Sequence, residues 1–414
     1  MRESATRPEH HLSDPGKEAR ARSGIPVVPA FDGFRAFAIL GVVVLHLTIL
    51  SGVVATEEQN LIARLVWGTF GHAVEILFIV SGFVVFLPTV ARGGEFGSLL
   101  SFAIRRGARL LPAYWMILLV SLLIIAVFDP AISNFDGFRD ALLNFTGTMV
   151  PAGLFIPGIP LGFGLNQPLW TLSVEICFYL VMPLVALAFF RRPLLGLILA
   201  LAITIGWTIA FDHVNRITDL LGMAPDFNEL VRIKLASAIQ LPAWAYSFGL
   251  GMAGAWVWVR LDRARESSNS AARAASRAPW IALASGAGLL ILAWPIGGYY
   301  EETRESLWLS LLYSTVLAVF MVSLSLSPRR WQGPFAAAPV RRLGDISYGI
   351  YLSHMVLALT IASEITLPQN GNLGSFAVWT LAVVPAAILY GYLSARFLEQ
   401  PIRRWARKYG RRTP

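Results

Sequence analysis

Two residues on one apolar segment carry the most direct chemical signal. Arg35 and His46 stand 11 positions apart, with almost only apolar residues between them. At 3.6 residues per helical turn, that spacing returns to nearly the same face, about 16 Å further along the axis. A neutral imidazole deep among apolar residues can take a proton from a hydroxyl group. A guanidinium stays charged and suits an anion at the segment's entrance. The structural alternatives are a histidine bonded to a neighbouring helix and an arginine that anchors the segment at a membrane surface.

Other ionisable residues fall within or beside apolar stretches, where their desolvation cost makes each a functional candidate. His72 and Glu75 are three apart and can touch on a helix, ahead of Ser81-Gly82. Arg105, Arg106 and Arg109 share one helical face before the apolar run that starts at Pro112. Three guanidinium groups there could hold the phosphates of a nucleotide-bearing molecule, or simply anchor a helix end. Glu175 lies in the apolar stretch after Trp170, with Tyr179 one turn on. Ser347 and His354 are seven apart, again on one face, and His354 reads first as a core hydrogen-bonding residue. Cys177 is the single cysteine, so no internal disulfide is possible. The sequence has no Cys/His cluster of metal-site spacing, and no metal is expected.

The elements that must position these side chains are membrane helices. Hydrophobic residues make up 56% of the 414, charged residues only 14%, against about 25% charged in soluble domains. Mean hydropathy is +0.60. A helical span needs about 20 apolar residues. Ten candidates follow: 34–51, 70–90, 112–128, 168–190, 194–211, 239–259, 280–296, 307–326, 346–364 and 375–397. With the N-terminus inside, the alternating cytoplasmic segments carry 28 of the 34 Lys and Arg residues. Lysine and arginine favour the cytoplasmic side, so both termini are expected there. The net charge of +9 then reflects helix flanks, and no nucleic-acid partner is expected. The fold class is therefore an all-α polytopic bundle of about ten spans. Residues 1–30 read as a disordered cytoplasmic tail without a signal peptide, 31–400 as the membrane domain and 401–414 as a basic cytoplasmic tail. Residues 260–279 read as a flexible linker, and the Pro/Gly-rich run 151–164 as a surface loop or a dip into the membrane.

Taken together, these segments resemble the acyltransferase-3 family of integral membrane acyltransferases. The resemblance runs from about residue 31 to residue 404. Asp32-Gly33-Phe34-Arg35 with His46 is similar to the family's opening motif. Glu75 to Phe83 resembles its second-span signature, and Arg106 and Arg109 before Pro112-Ala113-Tyr114-Trp115 its Arg-x-x-Arg pattern. Trp170-Thr171-Leu172-Ser173-Val174-Glu175 with Tyr179, Ile346 to Leu352 with His354, and Glu399-Gln400-Pro401 with Arg403 complete the series in order. Ile176, Cys177 and Ser353 depart from residues that many members carry at those positions. The chain ends 17 residues after the last span, so the C-terminal esterase-like domain of some members is not expected.

The resemblance implies transfer of an acyl group from cytoplasmic acyl-CoA, in the first instance acetyl-CoA. The implied acceptor is a hydroxyl of a sugar, glycolipid, polysaccharide or macrolide, and the implied location the bacterial cytoplasmic membrane. No tightly bound cofactor is implied. His46, Arg35 and Glu175 would be catalytic, and Arg105, Arg106 and Arg109 would hold the donor's phosphates. Asp32, His72, Glu75, Ser81, Ser173, Tyr179, Ser347 and His354 would form the supporting polar network. The rival reading is a proton-coupled secondary transporter, for which intramembrane His, Glu and Arg would form a relay.

Overall fold

The computed structural model describes residues 25–53, 61–128, 137–156, 166–220, 222–265, 269–296 and 304–409. All regular structure among them is helical, and the chain is an all-α polytopic membrane protein. In chain order the helices are α1 (Ala30–Leu50), α2 (Leu61–Phe70), α3 (Ala73–Ala91), α4 (Leu99–Phe128), α5 (Gly137–Phe145), α6 (Met149–Phe155), α7 (Trp170–Arg191), α8 (Pro193–Asp212), α9 (Val214–Leu220), α10 (Phe227–Ala238), α11 (Leu241–Ala264), α12 (Asn269–Ile296), α13 (Arg304–Leu326), α14 (Gly333–Ala336), α15 (Ala338–Glu364), α16 (Leu373–Leu393) and α17 (Gln400–Tyr409).

Among the described residues, nine helical stretches are long and apolar enough to cross a membrane, and each overlaps one of the ten expected spans. The remaining one, 239–259, corresponds to α11. This helix has 24 residues but carries three Trp and three Gly. Its composition follows from its place in the middle of the bundle. Ser247, Gly251 and Ala255 recur every fourth residue on α11 and are all buried. A Cβ on Gly251 would lie 2.2 Å from the Ile79 carbonyl oxygen of α3, and one on Gly82 of α3 would lie 2.3 Å from that of Phe248. Small residues at such a crossing let two backbones approach closely within a bilayer. Stacked rings fill the space beside it: Phe78 lies 4.8 Å from Phe248, and Phe178 of α7 lies 4.1 Å from Phe248.

The basic ends of several helices are tied together. Arg263 at the end of α11 donates to the Ala91 carbonyl at the end of α3, and Arg265 donates to that of Leu326 at the end of α13. This arginine end also holds the starts of α1, α4 and α15, as the contacts described below make plain. At the other end, Trp207 Nε1 donates to the Ser237 carbonyl (2.9 Å), joining α8 to α10, and Gln240 Nε2, just before α11, donates to that of Val150 in α6 (2.9 Å).

Three sequence expectations need correction. The arginines 105, 106 and 109 precede the apolar run, as expected, but are already helical. Helix α4 starts at Leu99 and carries them six to ten residues inside it. Residues 260–279 are not a flexible linker: α11 continues to Ala264 and α12 starts at Asn269, with only 266–268 outside the described residues. The alanines and arginines of 271–278 are strong helix formers. The run 151–164 begins as the end of α6, and its 157–164 part lies outside the described residues. Residues 1–24 and 410–414 of the two expected tails also lie outside them. Residues 400–409 form α17, which packs against α4.

Candidate active site

Close backbone contact at the arginine end sets the site's geometry. A Cβ on Gly33 would fall 2.0 Å from the Phe335 carbonyl oxygen, and one on Gly344 2.6 Å from that of Asp32. Glycine at both positions lets the first turn of α1 lie against α14 and α15. Asp32 and Arg35 thereby face a cavity of about 500 Å³ together with Asp345 and Ser347 of α15. From α4 the same cavity receives Arg105, Arg106 and Arg109, from α3 Ser81 and Arg92, from α7 Glu175, and from α17 Arg403 and Arg407. Seven arginines against three carboxylates leave the cavity cationic.

Glu175 is the hub of the cavity's inner part. Ser81 Oγ donates to its Oε1 at 2.6 Å, and the Tyr179 hydroxyl donates to the same oxygen. The Arg106 guanidinium lies over the Tyr179 ring, 5.3 Å from its centroid, and 5.9 Å from that of Phe102. Glu175 acts electrostatically on Arg35, Arg106 and Arg109, and Asp32 on Arg35 and Arg109. A carboxylate so placed holds several guanidinium groups in position while leaving the cavity cationic. Ser347 Oγ donates to the Gly344 carbonyl of its own helix (2.8 Å), and Ser173 is buried within α7.

The histidines are elsewhere. His46 Nδ1 lies 2.8 Å from His354 Nε2, with the ring planes 11° apart. His354 Nδ1 lies 2.7 Å from the Tyr351 carbonyl oxygen. A carbonyl only accepts, so His354 Nδ1 carries the proton and its Nε2, in the neutral ring, is the acceptor. His46 Nδ1 must then be the donor, which leaves His46 Nε2 with an unprotonated lone pair. His354 is fully buried and His46 half-buried. Neither histidine lines the arginine cavity. The connection is Tyr351, whose side chain lines the cavity while its carbonyl orders the pair. Its hydroxyl donates to the Pro168 carbonyl (2.7 Å) and stands 2.7 Å from Thr171 Oγ1, also in the cavity wall.

His72 and Glu75 form a third constellation. His72 Nδ1 is 2.6 Å from Glu75 Oε1, and its ring stacks on Tyr313 of α13, centroids 4.1 Å apart. Neither residue lines the cavity.

Apart from Ser173, which is buried within α7, the site residues expected from sequence therefore separate into three places. Arg35, Glu175, Arg105, Arg106, Arg109, Asp32, Ser81 and Ser347 surround the cavity, with Tyr179 bonded to Glu175. His46 and His354 form the pair, with His354 buried and hydrogen-bonded in the core. His72 and Glu75 stand with Tyr313. Glu175 and His46, grouped as catalytic, do not meet.

The acyltransferase domain of the acyltransferase-3 family matches residues 28–395. The chain belongs to this family. It is 27% identical over 406 residues to the peptidoglycan O-acetyltransferase OatA of Listeria monocytogenes, covering 91% of this chain and 56% of that protein. It is 34% identical over 162 residues to the acyltransferase MdmB of Streptomyces mycarofaciens, covering 38% of each. The chain thus spans little more than half the length of the first relative. No solved structure gives a significant match.

Within this acyltransferase-3 chain, the structure adds Tyr351, Thr171, Asp345, Arg92, Arg403 and Arg407 to the expected site residues. Tyr351 is three residues before His354, a helical neighbour by spacing. Arg403 and Arg407 repeat at four in a basic amphipathic helix, a pattern that equally describes a solvated tail. Arg92 follows the last residue of α3 and carries no distinguishing pattern of its own.

Proposed function

We propose that the chain is a membrane O-acyltransferase that takes an acyl group, acetyl in the first instance, from acyl-CoA and passes it to an acceptor hydroxyl. The observation that carries this reading is the double role of Tyr351, which joins an arginine-lined cavity to a histidine pair with one ordered, unprotonated nitrogen. The cavity suits the donor's phosphates, with Arg106 and Arg109 as bidentate ligands and Arg35 at its inner part. Arg35 and His46 are separated by about 16 Å along α1, a distance for the donor's flexible arm to cover. The acceptor's O–H gives its proton to His46 Nε2 and its oxygen attacks the thioester carbonyl carbon. The carbon–sulfur bond then breaks, and the imidazolium returns the proton to the thiolate, which leaves as free CoA. His354 holds the tautomer of His46 that this sequence needs. Glu175 positions the arginines.

Both relatives bear acyl-transfer names, one of them on peptidoglycan. The acceptor class proposed here is a hydroxyl of a glycan, glycolipid or macrolide. The arginine end faces the cytoplasm of a bacterium, with both termini on that side, in keeping with the lysine and arginine distribution. The test is the full chain in lipid nanodiscs supplied with acetyl-CoA and a panel of hydroxyl acceptors. Acceptor-dependent release of CoA thiol and an acetylated product by mass spectrometry are expected. Failure to release thiol with any acceptor, while acetyl-CoA also fails to bind, would remove the donor assignment.

A further inference from the structure

The cavity ends before it reaches the histidines. Its lining stops at Ile39 on α1, Leu77 on α3, Thr171 on α7 and Tyr351 on α15. Ile39 is about one turn beyond Arg35. It lies on the face that leads to His46, seven residues further on and about 10 Å along the axis. Tyr351 is three residues, about 5 Å, short of His354. Ile39 and Tyr351 also belong to an apolar cluster with Val42, Val43, Leu47 and Ile350, and Leu77 packs against it. The same side chains therefore form the floor of the cavity and the start of the packed region that leads to the histidine pair. The two halves of this floor differ. The Tyr351 hydroxyl is fixed by the Pro168 carbonyl and by Thr171 Oγ1, each at 2.7 Å. Ile39 and Leu77 are apolar and are held by packing alone, so they can pass between staggered rotamers without breaking a hydrogen bond.

We infer that Ile39 and Leu77 select the acyl group, and that they select it by width. This rests on the acyl-CoA reading above, in which the thioester carbon must come from the arginine cavity to His46. The donor's arm is unbranched next to its sulfur, and so are acetyl and the longer straight-chain acyl groups. Each presents a single methylene or methyl in cross-section to the Ile39 and Leu77 side of the floor. An acyl group branched beside its carbonyl carbon brings an extra methyl to the same place, against side chains packed at the density of a protein interior. The substrate class is therefore an unbranched acyl thioester.

The test uses the full chain in phosphatidylcholine nanodiscs, with the acceptor that supports thiol release from acetyl-CoA. Butyryl-CoA and isobutyryl-CoA, isomers that differ only in branching, are compared by kcat/KM. Wild type should prefer butyryl-CoA by about 10-fold or more, the worth of one misplaced methyl group in an apolar pocket. Ile39→Ala and Leu77→Ala, on different helices, should each bring the ratio towards unity. Val383→Ala removes volume from the same cluster on α16, away from the cavity, and should keep the wild-type ratio. Ile39→Trp should still bind acetyl-CoA but transfer acetyl about 100-fold more slowly. Equal use of the two isomers by wild type would overturn the inference, as would an unchanged ratio in Ile39→Ala. So would acetyl transfer at the wild-type rate in Ile39→Trp, or a ratio in Val383→Ala shifted as far as in Ile39→Ala. If wild type uses neither isomer, Ile39→Ala should gain butyryl transfer, and no gain would count equally against width selection. Absence of acetyl-CoA binding by wild type would instead remove the underlying reading.

Discussion

His46 and His72 are both imidazoles inside a helical bundle, and their partners make them opposite kinds of site. His72 has a carboxylate at 2.6 Å and a phenol ring stacked on its face. Both of its neighbours stabilise one arrangement, and the pair is an interhelical lock between α3 and α13. His46 has a second imidazole at 2.8 Å, ordered by a backbone carbonyl. That chain fixes which nitrogen carries hydrogen without supplying a counter-charge. The lesson is that a buried histidine is prepared for proton transfer when its partners fix the tautomer and leave one nitrogen unprotonated. One matched to a carboxylate is prepared for holding.

The largest expected effect is on the first of these. His46→Ala should lower acyl transfer by about 10²- to 10⁴-fold, the range for loss of a general base. Thiol release measures it, and protein level in the membrane should be unchanged. Full activity in this variant would collapse the contrast with His72. Next comes Glu75→Ala, which strands His72 in the bundle. Loss of one partner of a buried pair costs about 3 kcal/mol or more, to be read as a lowered unfolding midpoint in detergent. Activity per folded molecule should stay within a few-fold of wild type, and a drop as deep as that of His46→Ala would make the two sites functionally alike. His354→Phe keeps ring volume but removes the acceptor, and should reduce kcat by about 10- to 100-fold. His354→Gln, which can still accept from His46 Nδ1, should recover part of that loss. A variant with Phe that equals the one with Gln would mean that packing alone matters there.

The smallest effect belongs to the same kind of carboxylate partnership moved out of the membrane. Glu229 on α10 is bonded by Arg232 through two contacts, 2.6 and 2.7 Å. The hydrogen bond from Arg232 holds its carboxyl below the usual carboxylate range. A depressed value means stability that is present above the ordinary carboxylate range and lost as pH falls through the lowered one. Because the pair lies near the surface and is only part-buried, Glu229→Gln should cost about 1 kcal/mol. A midpoint difference from wild type should be visible at pH 7 and vanish in acid. An effect as large as that of Glu75→Ala would show that burial does not separate the two locks.

Much of the bundle was legible in the sequence because lipid imposes length and apolarity on every span. The expected segments meet their helices within a few residues wherever the composition is strongly apolar, as in α8 and α13. The expected segment 239–259 also meets its helix, α11, although the small and aromatic residues of this core helix lower its hydropathy. The start of α4 was missed for a related reason. Its first turns carry arginines that face a cavity inside the protein, which looks in sequence like a flank. For the site, helical spacing put Arg35 and His46 on one face. No spacing within a helix could bring His46 to His354, 308 residues away. The same limit applies to Glu175, which Ser81 meets across 94 residues, and to the two arginines of α17.

The wall that Ile39, Leu77 and Tyr351 contribute to the cavity lies on its histidine side. Ile39 is seven positions, or about two turns, before His46 on α1. Once the bundle is in an energised membrane, a water-filled arginine cavity sits near the electrical potential of the phase it opens to. If the apolar septum between the cavity and the histidine pair carries part of the voltage drop, a charge crossing it would feel it. Moving a unit charge through such a drop costs about 2.3 kcal/mol per 100 mV. A neutral acyl group reaching past the septum moves no charge at all. The phosphates stay behind it, and the proton of the reaction leaves and returns on the far side. On the proposed function, then, acyl transfer draws nothing from the membrane potential, and its rate should be indifferent to it.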